Sequence, residues 1–166
     1  MPTPTLRLGA PADAYEIAVM SRYLIEVGLR GWSWPPDRVA KAIRARDTNV
    51  LVADVGRQHL IGFAIMEFGD ATAHLSLFAV KPSHQRCGIG KQMIAWLEEA
   101  ALVAGIATIN LELRVNNFAA RTFYRVLGYK EASYIQGYYR GIETAVKMTR
   151  DIRRTVPSQI SEKPGK

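Results

Sequence analysis

The chain has 166 residues with a formal net charge of +7, and 48% of its residues are hydrophobic. This length suits one domain with one sizeable core, and no apolar run approaches the roughly 18 to 20 residues that a membrane span needs. A single cysteine, Cys87, excludes an intrachain disulfide and a cysteine-rich zinc site, which together with the missing membrane span favours a reduced, cytoplasmic protein.

The N-terminal half predicts one strand, two helices and a hairpin. In chain order these are a strand at 6–8, helices at 11–27 and 37–45, and strands at 49–55 and 59–68 joined by a turn at 56–58. Gly28 is placed to end the first helix. The loop between the helices carries Trp32 and Trp34, which we expect to pack down or to contact a ligand.

The stretch 73–104 predicts a strand, a glycine-rich turn and a helix. Apolar residues alternate from 73 to 77 and then run together at Phe78, Ala79 and Val80, which predicts a β-bulge there. The turn reads Gln85-Arg86-Cys87-Gly88-Ile89-Gly90-Lys91 and leads into a helix at 89–104. Glycines and free N–H groups at a helix start suit an anion, typically a phosphate, and the two cations add charge of the right sign.

The C-terminal part predicts a strand, a helix and a final hairpin. It comprises a strand at 108–115, a helix from the Asn117 cap to residue 127, and strands at 129–135 and 143–149. The order β-α-α-β-β-β-α-β-α-β-β predicts an α/β fold with a mixed sheet, in which the strands at 73–80 and 108–115 run parallel. We expect one domain over 1–154 and a disordered tail over 155–166.

The glycine-rich turn fits one of three known phosphate loops. A Walker loop needs glycine at position 85 and serine or threonine at 92, and a dinucleotide loop needs glycine at 93, so both patterns fail. The pattern Q-x-x-G-x-G after a strand ending in V-x-P resembles the coenzyme A pyrophosphate loop of the GNAT superfamily of N-acetyltransferases. The stretch from Leu111 to Arg114, followed by Asn117, Tyr124 and Gly128, resembles the second signature of the same superfamily.

The resemblance implies an enzyme that uses acetyl-CoA as co-substrate. The reaction that we expect for this chain requires no metal. The implied cofactor-binding positions lie at the strand end, in the turn and at the helix cap: Phe78, Ala79, Val80, Gln85, Arg86, Cys87, Gly88, Ile89, Gly90, Lys91 and Asn117. In this family the strand end bonds the pantetheine amides through its backbone. The positive net charge then serves to attract an anionic cofactor and to keep the protein soluble, with nucleic acid as the secondary interpretation.

The resemblance also implies two catalytic residues, each with a structural alternative. Tyr124 would protonate the departing thiolate, or it is a helix aromatic packed on the sheet. Glu112 would act as general base toward the amine, or it forms a surface pair with Arg114. His74 lies on the matching polar face of the neighbouring strand, where it shares a water with Glu112 or is partly buried filler.

The chain is most similar to protein N-terminal acetyltransferases, including the bacterial ribosomal-protein-alanine type. We therefore expect the acceptor to be a protein or peptide α-amine, contacted by Trp32, Tyr138 and Tyr139. The alternatives are an acetyltransferase for a small amine, such as a polyamine or an antibiotic, and a non-catalytic coenzyme A-binding or RNA-associated module. The sequence is compatible with a monomer or a homodimer, and no membrane partner is expected.

Overall fold

A computed structural model describes residues 3–29, 31–56, 59–139 and 143–153. Its seven-stranded mixed sheet has the order β1-β2-β3-β4-β5-β7-β6. The elements are β1 (Thr5–Leu8), α1 (Ala14–Leu24), α2 (Pro36–Arg44), β2 (Thr48–Asp54), β3 (Leu60–Phe68), β4 (Thr72–Val80), α3 (Ile89–Val103), β5 (Thr108–Arg114), α4 (Phe118–Val126), β6 (Lys130–Tyr139) and β7 (Glu143–Asp151), with short 3-10 turns at Pro11–Asp13 and Pro82–His84. The element order and the mixed sheet are confirmed.

Two apolar clusters lie on the two faces of the sheet. One contains Met93 and Leu97 of α3 and Tyr124 of α4. The other contains Ile17 of α1 and Val39 of α2. Because helices cover both faces, a polar side chain within the sheet must face a cavity or find a partner.

A β-bulge in β4 transfers its apolar side chains from one face to the other. The register with β3 shifts so that Leu75 pairs with Met66 and Leu77 with Ile65, which leaves Ser76 as the extra residue. Leu75 accordingly belongs to the α3–α4 cluster, whereas Leu77 belongs to the α1–α2 cluster. The predicted position of the bulge, at 78–80, is wrong. Phe78 and Val80 pack on the α3–α4 side and Ala79 on the α1–α2 side, so the apolar run there follows from helices that cover both faces.

The two central parallel strands pair over only three residues. Thr72–His74 of β4 lie beside 108–110 of β5, which confirms the parallel arrangement. Beyond that point β5 continues its pairing with β7 up to Arg114, and β4 its pairing with β3 up to Val80. The two strands therefore present backbone groups to each other without a ladder between them, at the carboxyl ends where ligands bind in parallel sheets.

Several predicted boundaries differ from the structure. Helix α1 ends at Leu24 rather than at residue 27, because the N–H groups of Ile25 and Glu26 both donate to the Ser21 carbonyl and so close the last turn. Strand β6 extends to Tyr139 across a register shift instead of ending at 135. The end of α4 is confirmed, since Gly128 follows it with a φ of 97°.

Some predictions lie outside the described residues or remain untested. The turn at 57–58, the loop residues 140–142 and the tail at 155–166 are not among the described residues. The single domain over 1–154 stays an expectation. Within the described ranges, no helix combines the length and hydropathy of a membrane span, and the cytoplasmic location stays a prediction.

Candidate active site

A cavity of about 360 Å³ lies where β4 and β5 diverge. Leu75 to Phe78 of β4 line one side and Leu111 to Arg114 of β5 the other. Asn117, Ala120 and Tyr124 of α4 also line it, so the predicted shared face of this helix is confirmed. The cavity reaches the end of α1 at Leu24 and therefore passes from one face of the sheet to the other.

Tyr124 is held rigidly at this cavity. Its side chain is only 3% exposed and packs edge-on against the rings of Phe123, Phe78 and Tyr129, with centroids 5.1 to 6.2 Å apart. Burial raises the pKa of Tyr124 well above its ordinary value, so the phenol stays protonated at neutral pH. No described residue forms a hydrogen bond with its hydroxyl. A protonated phenol that lines a cavity can donate to a ligand there.

The turn before α3 presents a row of backbone donors. Arg86 and Gly88 both adopt positive φ, 63° and 82°, and the first helical bond runs from Gln92 N to Gly88 O. The six N–H groups of residues 86–91 donate no hydrogen bond to any described residue. Six free donors at a helix N-terminus match an anionic group such as a pyrophosphate. The side chains of Arg86 and Lys91 are exposed beside them.

Gly90 is required for a packing reason. A Cβ at this position would lie 3.2 Å from Cζ of Phe78 and 3.3 Å from Cζ of Phe123, and these two rings stack on each other at 5.7 Å. Glycine thus lets the helix start approach this stacked pair, of which Phe78 lines the cavity. The Gln85 amide bonds the Val80 carbonyl at 2.9 Å and ties the turn to the end of β4.

The other predicted cofactor-binding residues differ in which of their atoms a ligand can reach. The side chains of Ala79, Val80 and Ile89 are buried in the apolar clusters, so only their backbone is available to a ligand. Cys87 is exposed. Asn117 caps α4 by accepting a hydrogen bond from Ala120 N at 3.2 Å, which fixes the helix start at the cavity.

Glu112 has His74, not Arg114, as its partner. His74 Nε2 bonds Glu112 Oε2 directly, without the shared water that the sequence suggested. Arg114 instead pairs with Glu143 at 3.3 Å and donates to the Ile25 carbonyl at 3.0 Å. The surface-pair interpretation of Glu112 is therefore wrong. The hydrogen bond to Glu112 raises the pKa of His74, and burial opposes this shift.

A second cavity, also of about 360 Å³, lies on the α1–α2 side of the sheet. The carboxylates of Glu26, Glu67 and Glu112 line it, together with Tyr138 and Tyr139. Burial, followed by the charge of Glu112, raises the pKa of Tyr138. Glu112 lines both cavities and so lies at their junction. The second cavity combines negative charge with aromatic walls, which suits a cationic amine.

The two tryptophans of the α1–α2 loop have different roles. Trp34 is buried and lines the second cavity. The Arg38 guanidinium stacks over its ring, with Cζ 3.8 Å from the ring centroid. Trp32 is absent from the lining of both cavities; its Nε1 donates to the Ala18 carbonyl and its ring packs against the α1–α2 cluster. The acceptor contact predicted for Trp32 stays a prediction, and of the two indoles only Trp34 lines one of these two cavities. Sequence spacing carried no signal for this choice, because both indoles lie in one irregular loop.

The family model described as the Acetyltransferase (GNAT) family matches residues 14–129. The chain belongs to the GNAT acetyltransferase family. It is 32% identical over 117 residues to the ribosomal protein bS18-alanine N-acetyltransferase of Escherichia coli K12. The aligned region covers 70% of this chain and 78% of that protein. The resemblance to the GNAT superfamily, inferred from the two sequence signatures, is thereby confirmed.

Solved structures of GNAT proteins share the fold. The ribosomal-protein-S18-alanine N-acetyltransferase from Escherichia coli has a TM-score of 0.73 at 26% identity, covering 93% of this chain and 97% of that one. Arabidopsis thaliana NAA60 in complex with acetyl-CoA has a TM-score of 0.79 at 14% identity, covering 92% and 100%. At that identity the second match shows the fold alone.

The GNAT chain is accordingly an N-acetyltransferase that uses acetyl-CoA as co-substrate. The divergence of β4 and β5 and the free donors at 86–91 fit that molecule, because one provides unpaired strand edges and the other an anion site. Among the described residues no group of three or more His, Cys, Asp or Glu is placed to hold a metal ion. The expectation that no metal is required stays a prediction.

Proposed function

We propose that this GNAT enzyme transfers the acetyl group of acetyl-CoA to the α-amine of a protein or peptide N-terminus. The observation that carries the proposal is the position of Glu112, which lines both the cavity of Tyr124 and the acidic, aromatic second cavity. In this assignment the first cavity receives the thioester end of the cofactor and the second receives the amine. The relatives named as acting on the alanine of a ribosomal protein support the same acceptor class.

The proposed reaction is direct transfer between the two ligands. Glu112, directly or through a water, takes a proton from the acceptor amine. Backbone N–H groups near Val80 stabilise the charge that develops on the carbonyl oxygen. Tyr124 then gives its proton to the departing thiolate, a transfer that is uphill by about 2 kcal/mol on the reference pKa values of about 10 for a phenol and about 8.5 for a thiol. The raised pKa of Tyr124 keeps it in the donor form until the thiolate develops.

The free energy needed to deprotonate the acceptor favours an N-terminus over a lysine side chain. At pH 7 deprotonation costs about 1 to 1.4 kcal/mol for an α-amine and about 4.6 kcal/mol for a lysine side chain. A single carboxylate is a weak base and suits the less costly acceptor. Tyr138 and Tyr139, packed edge to face at 5.0 Å, offer two phenols that can hold the peptide backbone at the cavity.

Two matched peptide sets test this proposal. One set has a free N-terminus and no lysine, and the other has an acetylated N-terminus and one lysine; spermidine serves as the small amine. We expect faster turnover of at least one free N-terminus than of every lysine or polyamine acceptor. Faster acetylation of lysine or polyamine would show that the acceptor is misassigned, and the absence of turnover with any amine would favour the binding-module alternative.

The role of Glu112 is tested separately with Glu112→Gln. At pH values above the His74 titration, we expect a rate loss that is largest at the acidic end, where the free amine is scarcest, and that shrinks as pH rises. Glu99→Gln, at an exposed position of α3, is the matched control and should behave as wild type. A Glu112→Gln profile parallel to the wild-type profile would remove Glu112 from the mechanism.

A further inference from the structure

Four polar side chains form a continuous hydrogen-bonded chain that ends at solvent. Glu112 bonds His74 Nε2, and His74 Nδ1 lies 3.2 Å from Ser76 Oγ. The Ser76 hydroxyl donates to Glu67 Oε2 at 2.7 Å. Glu67 is half exposed, whereas the Glu112 side chain is only 14% exposed. The His74 side chain is itself 39% exposed, so the chain joins the mostly buried Glu112 to solvent at His74 and at Glu67.

The donor count along this chain places two protons on the imidazole. Ser76 has one hydroxyl proton, and it is directed to Glu67, so its oxygen accepts from His74 Nδ1. Glu112 as a carboxylate accepts from Nε2. Both ring nitrogens are then donors, which describes an imidazolium between two carboxylates. This imidazolium compensates the charge of Glu112.

The surroundings of the ring are mostly acidic. Glu67 on β3 and Glu112 on β5 favour the imidazolium, and Lys147 on β7 opposes it. The second cavity, which His74 also lines, brings in Glu26, Arg38 of α2 and Tyr138 of β6. The raised pKa of His74 has the hydrogen bond to Glu112 as its largest cause. The charge on the ring therefore depends on both carboxylates of the chain.

We propose that His74 is a positioning residue that holds Glu112 in a compensated ion pair and exposes its negative charge to the amine by releasing a proton along Ser76 to Glu67. This inference rests on the proposed role of Glu112 as base. In the release step the His74 Nδ1–H bond breaks and Ser76 Oγ gains that proton. The Ser76 hydroxyl proton passes to Glu67 Oε2, and the half-exposed Glu67 gives it to water.

Loss of this proton changes the charge of His74 but leaves the Glu112 carboxylate in place. Neutral His74 keeps its Nε2–H, which continues to donate to Glu112, so the carboxylate stays in place. The proton that Ser76 has gained already points at Nδ1, so the Ser76 hydroxyl now donates to that nitrogen. Glu112 then has a neutral instead of a cationic hydrogen-bond partner in His74, so its negative charge is available to the amine. As pH rises from the acidic side, two groups must therefore lose a proton before the reaction proceeds: the acceptor amine and His74.

A titration by NMR tests the chain without an activity measurement. The sequence has three histidines, and His74→Gln assigns the His74 signal by its loss. We expect the titration midpoint of His74 to fall by at least about half a pH unit in Glu67→Gln, Ser76→Ala and Glu112→Gln. Ser83→Ala is the matched control, because Ser83 Oγ contacts His84 Nδ1 at 2.8 Å elsewhere on the surface, and it should leave the His74 midpoint unchanged.

The pH profile of kcat/KM tests the consequence for the reaction. On the acidic side we expect a limiting slope of two for the wild type and one for His74→Gln. One pH unit below the His74 midpoint, the wild type should then lose about tenfold more of its kcat/KM than His74→Gln does. Folding of each variant is checked by its acetyl-CoA affinity, which should be unchanged.

The outcomes separate this inference from the proposed function. A His74 midpoint unmoved by Glu67→Gln and Ser76→Ala, or parallel profiles for wild type and His74→Gln, would overturn the role of the chain while leaving Glu112 as base. Full activity of Glu112→Gln would overturn the role of Glu112 itself. In that case the NMR midpoints still report whether His74 is coupled to Ser76 and Glu67, but the link of this coupling to acetyl transfer is lost.

Discussion

Glu112 and Tyr124 line one cavity from opposite faces of the sheet. Tyr124 belongs to the apolar cluster on the α3–α4 side, whereas Glu112 also lines the cavity on the α1–α2 side. The divergence of β4 and β5 connects the two sides. A proton acceptor and a proton donor are thereby kept apart by the thickness of a sheet, so that the acceptor amine and the thiolate would each meet one group of the right kind.

Replacing Tyr124 with phenylalanine isolates the hydroxyl. Tyr124→Phe keeps the ring contacts to Phe78 and Phe123, so we expect a turnover rate lower by about 10² to 10⁴-fold and an unchanged acetyl-CoA affinity. Single-turnover measurement of the chemical step and calorimetry check the two quantities.

Tyr129→Phe is the matched control for that experiment. The Tyr129 ring contacts Tyr124, but its hydroxyl donates to Glu98. Its loss should lower the free energy of unfolding by about 1 kcal/mol and leave the chemical step unchanged. If Tyr124→Phe keeps the wild-type chemical step, Tyr124 is a packing residue only.

The anion site before α3 can be tested with two side chains of equal size. Gly88 has a φ of 82°, and a Cβ added there would have no atom within 4 Å, so aspartate and asparagine face the same backbone strain. We expect Gly88→Asp to bind acetyl-CoA at least about tenfold more weakly than Gly88→Asn, a difference of about 1.4 kcal/mol, because only aspartate opposes the pyrophosphate. Equal affinities by calorimetry would place the phosphates elsewhere.

Replacing each of the two tryptophans should affect acceptor binding differently. Trp34→Phe removes part of the second cavity wall and the platform for Arg38, so we expect a higher KM for the peptide and an unchanged KM for acetyl-CoA. Trp32→Phe removes a hydrogen bond to Ala18 and should lower the melting temperature only. Equal peptide KM values in the two variants would contradict this division.

The ion pair of His74 and Glu112 should make stability depend on pH in a defined direction. The folded pKa of His74 is raised above its unfolded value of about 6.5, so its contribution is fully present below pH 6.5 and is lost as pH rises through the folded value. Relative to His74→Gln, the wild type should therefore be more stable near pH 5.5 than near pH 9. Thermal unfolding at both pH values measures this difference, and a constant difference would mean that folding does not shift the pKa of His74.

The sequence predicted the arrangement of the fold better than the contacts of the site. Periodicity and capping residues such as Asn117 and Gly128 are local signals, so the element order and the parallel strands were predictable. The bulge at Ser76 was misplaced because one extra residue leaves no local mark other than a change of face. The direct contact of His74 with Glu112 joins positions 38 residues apart, and its geometry depends on how two strands diverge.

The three-residue pairing of β4 and β5 also has a consequence for product inhibition. Their unpaired edges would bond the pantetheine arm, a part that acetyl-CoA and free coenzyme A have in common. Binding at these edges then distinguishes poorly between the substrate and the product left after transfer. Coenzyme A should compete with acetyl-CoA at a similar concentration, and the rate of acetylation should follow the ratio of the two molecules more closely than the amount of either.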